Sequence, residues 1–345
     1  MISDLISTGL GDYSRDKFSA LIDIRAIALE AICDALKNRG YTQVTTSSLV
    51  NIAGSCENPH ASFKVDYYGR MAHLSQSAQL QLEALVMRLK RGFFTVNNSF
   101  REETYTNPAS RHRRLSEFTL IEPERPYEGL NPQEALDRML EEEEQVIKHT
   151  VQKVLDKCAR QVTVLGGNVA YLEKVIDAPF LKISYDDALG ILNSHRDKKY
   201  KFGKDFGIKD ELQILAYFDN LPVFVAQYPA HIKFFNMKRT PDGRRVYNAD
   251  LLMPKLGEAS GGAVREEDIE AIRKQLETSR MASLLRAAGT FSQNPFAEYF
   301  RSFEGEIPLL RVGYGIGYER LVGFLIGTDD ILSTMTPSVL HPRRR

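Results

Sequence analysis

The order of strand-like and helix-like segments most strongly limits the fold that this chain of 345 residues can adopt. Extended segments rich in Val, Thr and Phe occur at 41–50, 92–100, 115–124 and 221–238, with helical segments at irregular intervals between them. No regular βαβ alternation is present, and no linker divides the chain. The pattern predicts an α+β fold in which an antiparallel sheet is flanked by helices.

Four segments carry apolar residues at helical spacing, namely 17–39, 75–91, 133–158 and 266–289. The third contains four consecutive glutamates at 141–144. Charges at adjacent helix positions point in different directions, so these glutamates are interpreted as a solvated helix face rather than a metal site.

The charge balance is even, with 45 Lys and Arg residues against 45 Asp and Glu residues. This balance disfavours a surface that coats nucleic acid, although a local basic patch is permitted. No apolar run approaches the ~20 residues that span a bilayer, and the N-terminus lacks the pattern of a signal peptide. The three cysteines form no disulfide or zinc pattern, so a cytoplasmic protein without a membrane partner is expected.

A first chemical motif lies at 100–124, FREETYTNPASRHRRLSEFTLIEPE, which reads as an antiparallel hairpin. Period two places Arg101 and Glu103 on one face of the first strand, and Phe118 and Glu122 on one face of the second. Guanidinium groups bind phosphates, aromatic rings stack on bases, and carboxylates accept from amines. The motif therefore fits a nucleoside triphosphate beside an amino compound, and a salt-bridged hairpin is the alternative.

A second motif is GYGIGYERL at 313–321, a glycine-rich segment that enters a helix. Backbone N–H groups of such a segment can hold phosphates, and Arg320 in the first helical turn adds a positive charge. The spacing is neither that of a Walker A loop nor that of a dinucleotide fingerprint. A tight packing turn between strand and helix is the alternative.

A third motif is NADLLMPKLGEASGG at 248–262, in which Asp250 and Glu258 are eight residues apart. Two carboxylates that converge from adjacent strands suit Mg²⁺, which takes few protein oxygens and keeps several waters. Surface acids on a hairpin are the alternative.

Taken in chain order, the motifs at 100–124, 248–262 and 313–321 resemble motif 2, the metal-carboxylate segment and motif 3 of the class II aminoacyl-tRNA synthetases, with the asparaginyl enzymes (class IIb) as the nearest subfamily. The segments GSCENPHASFKV, SAQLQLE, YPAHIKFFNMK and GTDDI extend the resemblance from about residue 23 to residue 343. It implies the class II antiparallel sheet flanked by helices, and a homodimer. It also implies one catalytic domain over 1–345, with an extension at 1–16 and without the OB anticodon-binding domain.

The resemblance implies ATP and Mg²⁺ as ligands, with Arg101 and Arg320 as the catalytic arginines. Arg101 would bind the α-phosphate and the substrate carboxylate, while Arg113 and Arg320 would hold the outer phosphates. Glu103 would accept from the adenine amine, and Phe118 would stack on the adenine ring.

The same resemblance implies that Asp250 and Glu258 position Mg²⁺. The residues implied on the substrate side are Glu57, Gln79, Glu122 and Arg311, of which the first three would receive the substrate ammonium. Aspartate-specific relatives carry a lysine three residues after the position of Gln79. Here that position is Leu82, followed by Glu83 as in the asparagine-type pattern, so an Asx-type substrate is expected.

Several departures from the family pattern fall around the amino acid and acceptor side. Arg114 replaces a histidine, Leu310-Arg311 replaces Pro-His, and Ala263-Val264 replaces Ser-Gln. The residues implied for ATP are unchanged. Retained adenylation with an altered substrate or acceptor is therefore expected.

The expected activity is an ATP-dependent ligase that adenylates the carboxylate of aspartate, asparagine or a close analogue. Ammonia or a small amine would then capture the adenylate as an amide, as in an asparagine-synthetase-like reaction. The alternatives are aminoacyl transfer to tRNA or a carrier protein, and a non-catalytic paralogue with a regulatory role. The sequence leaves the acid and the acceptor open.

Overall fold

The computed structural model describes residues 14–51, 61–103, 113–194, 196–287 and 296–336. The helices are α1 Arg15–Lys37, α2 Gln79–Leu89, α3 Pro132–Leu165, α4 Val169–Asp177, α5 Tyr185–Ser194, α6 Ile208–Tyr217, α7 Ile269–Glu277, α8 Arg280–Ala287, α9 Ala297–Arg301 and α10 Tyr318–Ile326. The strands are β1 Thr42–Gln43, β2 Leu49–Val50, β3 Lys64–Tyr67, β4 Arg70–Leu74, β5 Phe93–Phe100, β6 Glu117–Pro126, β7 Leu181–Ser184, β8 Val223–Ala226, β9 Asn248–Met253, β10 Gly257–Arg265 and β11 Arg311–Gly317. None of the helices in these ranges is long and apolar enough to cross a membrane.

Eight strands form the main sheet in the order β1-β5-β6-β11-β10-β9-β8-β7, and β2, β4 and β3 form a small second sheet. The pairs β1/β5 and β7/β8 at the two edges are parallel, and every other pair in the main sheet is antiparallel. The predicted α+β class, an antiparallel sheet flanked by helices, is confirmed.

One face of the sheet packs against α1, α3 and α10 and forms the main hydrophobic core. Helix α3 starts at a capping box, because Asn131 accepts from the first-turn N–H groups while Glu134 accepts from the Asn131 N–H. It ends at Gly166, whose φ of 101° is readily adopted by glycine alone. The helix is thus fixed at both ends, and its apolar stripe seals this face of the sheet.

By the residues that the structure describes, the opposite face, called the cleft face below, is covered at its two ends. Near β5, Leu82 and Val86 of α2 pack on Phe93. Near β8 and β9, residues of α5 and α6 form a separate cluster with Val223 and Leu252. The middle of the cleft face lies between these two covered regions, over β6, β11 and β10.

The predicted helices at 17–39 and 133–158 are confirmed with shifted ends, and the helix predicted at 75–91 is shorter, because it begins only at Gln79. The segment predicted as one helix at 266–289 contains two, α7 and α8. Ser279 accepts from the Ala282 N–H and so starts a new helix between them.

Two further predictions are wrong. The second strand-like piece of 221–238 is irregular, because Gln227 has a φ of 61° and Pro229 leads into a short 3₁₀ turn at Ala230–Ile232. The glutamate run is also not a fully solvated face, since Glu142 and Glu143 are buried. Tyr41 and Arg125 donate to the two oxygens of Glu142, which offsets the cost of burying its charge.

Candidate active site

Two glycines form the floor of the cleft face. Gly315 of β11 pairs with Gly261 of β10, which pairs with Asp250 of β9. On its other side Gly315 lies beside Glu122 of β6, whose Cγ is 3.6 Å from the position a Cβ would take. Neighbouring strands are about 4.8 Å apart, so the backbones that carry Glu122 and Asp250 are about 14 Å apart, with the two glycines between them. This strip is wide enough to seat a flat ligand directly on the sheet.

Glu122 forms the first wall of this strip and is oriented by the start of α2. The Ser77 hydroxyl donates to its Oε1 at 2.5 Å, and the Ala78 N–H donates to its Oε2 at 2.8 Å. Each carboxylate oxygen can accept more than one hydrogen bond, so an ammonium group fits this position as a further donor. Gln79 follows on α2, and its amide lies 3.4 Å from Glu83 Oε1.

Asp250 and Glu258 form the opposite wall and converge over Gly261. A Cβ built on Gly261 would lie 3.4 Å from Asp250 Oδ1 and 3.3 Å from Glu258 Oε1. The two oxygens therefore reach toward the same point above the floor. Oxygen donors of this kind fit Mg²⁺, which completes its shell with phosphates and water. Within the described ranges no group of three or more His, Cys, Asp or Glu side chains could hold a metal by itself.

Two groups adjust the charge at this second wall. Lys233 Nζ lies 2.5 Å from Asp250 Oδ2. Burial raises the pKa of Asp250 to about 6, and the Lys233 ammonium offsets part of that rise. Glu211 of α6 accepts from the Glu258 N–H at 2.9 Å. Burial and the nearby Glu258 carboxylate raise the pKa of Glu211 to about 7.

The two arginines predicted for the outer phosphates lie beside Glu258. Arg320, in the first turn of α10, donates to the Glu258 carbonyl oxygen, and its Nη1 is 3.9 Å from Glu258 Oε2. Arg113 donates to the Lys255 carbonyl at 3.2 Å. Burial lowers the pKa of Arg113, and the positive charge of Arg320 acts in the same direction. The two guanidinium groups thus both contact the backbone of the short segment 255–258.

Two residues are predicted to frame adenine. Phe118 lies near the start of β6, and Glu103 lies just after the end of β5. The Arg101 guanidinium is 5.7 Å from the centroid of the Phe118 ring. Glu103 Oε2 accepts from Arg114 Nη1 at 3.0 Å, so this carboxylate is paired within the protein. The hairpin of β5 and β6 is confirmed by an unbroken antiparallel register, whereas its tip at 104–112 lies outside the described residues.

Two buried ion pairs form the deep end of the cleft. Arg265 contacts Glu124 through Nε and Nη2, and Arg311 contacts Glu83 Oε2 through Nε and Nη2. Gly313 makes the first pair possible, because a Cβ there would lie 1.7 Å from Glu124 Oε2. The Arg311 side chain has no exposed surface. A direct contact between Arg311 and a substrate stays a prediction.

The structure thus brings together ten of the eleven residues predicted for the site on or beside the cleft face. Glu57 lies outside the described residues. Glu211, Lys233 and Arg265 were not predicted. Of these three, only Arg265 could have been found from the sequence, because it directly follows the GGAV segment beside the metal-carboxylate motif.

Comparison with known proteins agrees with this geometry. The sequence profile of the family "tRNA synthetases class II (D, K and N)" matches residues 7–336. The asparagine--tRNA ligase of Streptococcus agalactiae serotype III (strain NEM316) is 34% identical over 334 residues, which covers 94% of this chain and 69% of the relative.

Solved structures show the same fold. The asparaginyl-tRNA synthetase of Pyrococcus horikoshii, complexed with asparaginyl-adenylate, has a TM-score of 0.79 at 30% sequence identity. The match covers 94% of this chain and 70% of the Pyrococcus chain. The Entamoeba histolytica asparaginyl-tRNA synthetase in complex with asparaginyl-adenylate has a TM-score of 0.74 at 24% sequence identity. The match covers 93% of this chain and 67% of the Entamoeba chain. This chain therefore belongs to the class II tRNA synthetases of the D, K and N family, and is an ATP-dependent ligase that forms an aminoacyl-adenylate.

Proposed function

We propose that this protein activates asparagine, or a close Asx-type analogue, with ATP and transfers it to tRNA. The observation that carries the proposal is the glycine floor between Glu122 on one wall and Asp250 and Glu258 on the other. A substrate ammonium suits the first wall, and metal-bound phosphates suit the second. The relatives that are asparagine--tRNA ligases support this amino acid.

The acceptor proposed here differs from the one expected from the sequence. Ammonia or a small amine has no support from the relatives, whereas tRNA is named in the description of each of them. We therefore propose tRNA as the acceptor. A homodimer and a cytoplasmic location stay predictions.

Adenylation at this site needs positioning and charge neutralisation rather than a protein nucleophile. An oxygen of the substrate carboxylate attacks the α-phosphorus, a new oxygen–phosphorus bond forms, and pyrophosphate leaves with its electron pair. Arg101 would neutralise the α-phosphate, while Arg113 and Arg320 would hold the leaving phosphates. Asp250 and Glu258 would hold Mg²⁺, which supplies further charge neutralisation when bound.

A panel of amino acids in ATP–pyrophosphate exchange tests the first step. Exchange that depends on asparagine or one related acid is expected, and absence of exchange with every acid in the panel would contradict the proposal. The second step is measured by adding either total tRNA or ammonium to the preformed adenylate. Alkali-labile, acid-precipitable attachment of the labelled amino acid to tRNA supports the proposed acceptor, whereas an amide product with ammonium alone contradicts it.

A further inference from the structure

A basic cavity lies behind the second wall of the cleft, because Lys233 lines the cavity and also pairs with Asp250. It has a volume of about 280 Å³. Among the described residues that line it, the charged ones are Lys233, Arg239, Arg244 and Arg280, His231 adds a titratable ring, and none is a carboxylate. We call it the arginine pocket. It is at the small end of the range for ligand pockets, so a small molecule fits it better than a folded partner.

Three of these charges have no ion-pair partner among the described residues. In the part of the chain that the structure describes, no carboxylate forms an ion pair with the guanidinium groups of Arg239, Arg244 or Arg280. Lys233 differs, because its ammonium is already paired with Asp250 on the other side. Like charges repel, so three arginines around one cavity without an ion-pair partner in the described ranges favour binding of an anion.

The nearest acidic side chain in the sequence does not fill this role. The Asp242 carboxylate accepts from the Thr240 hydroxyl at 2.6 Å and from the Arg244 backbone N–H at 3.1 Å. These contacts hold it within its own turn, where it shapes the loop that carries Arg244.

Aromatic rings hold the arginines and give the pocket an apolar side. The Phe202 ring has the Arg244 and Arg245 guanidinium groups each 5.1 Å from its centroid. Phe234 and Phe235 line the same cavity. A ligand with two or more negative groups on a compact carbon frame matches these walls.

We propose that the arginine pocket binds a small polyanion, a molecule with several phosphate or carboxylate groups, at a site separate from the ATP site. Guanidinium groups bind both kinds of oxyanion through paired N–H donors. Arg239 approaches from the segment before the 240–243 turn, Arg244 from the segment after it, and Arg280 from the first residue of α8. The pocket thus brings positive charges together from separate parts of the fold.

Isothermal titration of the full chain with citrate and with pyrophosphate, in the absence of ATP and Mg²⁺, tests this proposal. The double variant Arg244→Gln/Arg280→Gln removes two charges from exposed side chains without ion-pair partners in the described ranges, so it should fold normally. At least about tenfold weaker binding of citrate is expected, since each bidentate contact is charge-assisted. Pyrophosphate serves as the comparison, because the arginines predicted for the ATP site are unchanged in this variant. Arg160→Gln, an exposed arginine on α3, is the matched control and should leave binding unchanged.

The ATP site must be distinguished from the pocket in the same experiment. Arg320→Gln removes a predicted phosphate ligand and should leave citrate binding intact. Citrate binding that is lost in Arg320→Gln but kept in the pocket variant would overturn the proposal, as would no binding of either anion to the wild type. Binding of a single-stranded oligonucleotide but not of citrate or pyrophosphate would also overturn it, in favour of a nucleic-acid contact.

Discussion

At the residue scale, the two glycines at 313 and 315 have different tasks although they are two positions apart on β11. A Cβ on Gly315 would meet Glu122 Cγ at 3.6 Å and Glu122 Oε1 at 3.9 Å, which are ordinary contact distances, whereas a Cβ on Gly313 would collide with Glu124 Oε2. Gly315 therefore keeps space free for a ligand, and Gly313 keeps space free for the protein's own ion pair.

This difference predicts opposite outcomes for two alanine substitutions. Gly315→Ala should keep the thermal midpoint of the wild type but lower the rate of ATP–pyrophosphate exchange by about tenfold or more, because its methyl group rises into the cleft. Gly313→Ala should lower the thermal midpoint itself, since the Glu124–Arg265 pair must move. Equal losses of thermal midpoint in the two variants would contradict this assignment.

A second prediction at this scale concerns Glu143, which is buried with one carboxylate oxygen that has no hydrogen-bond partner in the described ranges. Burial raises its pKa to about 8, whereas an unfolded chain has a value of about 4.3. The folded state thus holds a proton that the unfolded state releases. This residue's contribution to stability is complete below pH 4 and is lost as the pH rises toward 8.

Glu143→Gln should remove this dependence. At pH 8 the variant should unfold at higher urea concentration than the wild type, with a gain on the order of 3 kcal/mol, and at pH 4 the two proteins should be nearly equal. Glu141→Gln, an exposed neighbour on the same helix, is the control. A gain that is the same at both pH values would show that Glu143 is not protonated in the folded protein.

At the element scale, the Glu83–Arg311 ion pair joins α2 to β11, and further contacts reinforce it. Glu83 also accepts from the Tyr299 hydroxyl at 3.0 Å and from the Asn236 amide. Removal of one partner of a buried pair leaves the other charge without compensation. The junction of α2, α9 and β11 therefore depends on this one carboxylate.

Glu83→Gln should destabilise the protein by about 3–5 kcal/mol, because the buried guanidinium loses its counter-charge. The free energy of unfolding in urea measures this loss. Glu277→Gln, an exposed acid on α7, should change it by less than about 0.5 kcal/mol. A loss of similar size in both variants would show that the buried pair contributes little.

The sequence predicted the helices of this fold better than its strands. Apolar spacing located α1 and α3 because each buries one long stripe. The same reasoning predicted α7 and α8 as one helix. The break at Ser279 depends on one side-chain hydrogen bond, which does not change the apolar periodicity of the sequence. The segment after β8 looked extended because its residues favour strands, yet Gln227 turns into the left-handed region.

In the candidate site, too, residues in local sequence motifs were predicted and contacts between distant segments were missed. The predicted Arg320, Asp250 and Glu258 are found together because each belongs to a short motif that sequence comparison can find. The Lys233–Asp250 and Glu124–Arg265 pairs were not predicted, because they join residues on different elements with no local pattern. Burial of Glu142 was missed for a similar reason, since its partners Tyr41 and Arg125 come from distant segments.

At the scale of the whole molecule, ligand binding should be visible as added stability. A ligand that binds only the folded chain stabilises it by about 2.7 kcal/mol at a concentration one hundred times its Kd. ATP with Mg²⁺ should therefore raise the thermal midpoint by several degrees, and EDTA should abolish most of the rise. Asp250→Asn should show the same reduced rise even with Mg²⁺ present.

Arg70→Gln, an exposed arginine on β4, serves as the control for this measurement and should respond to ATP as the wild type does. An undiminished response to ATP in the presence of EDTA would show that Asp250 and Glu258 do not act through a metal. A rise of the thermal midpoint on addition of citrate without ATP would indicate binding in the arginine pocket.

The glycine floor also limits how this protein can evolve. The floor consists of glycine backbone, which has no side chain that a mutation could replace by a slightly different one. Any substitution at Gly315 or Gly261 therefore adds a side chain that occupies space in the cleft. New substrate preferences must therefore arise from the walls and from the deep end of the cleft. Directed evolution of this protein should accordingly accumulate changes around Glu83, Arg265 and Arg311, while libraries randomised at the two floor glycines should return mostly inactive clones.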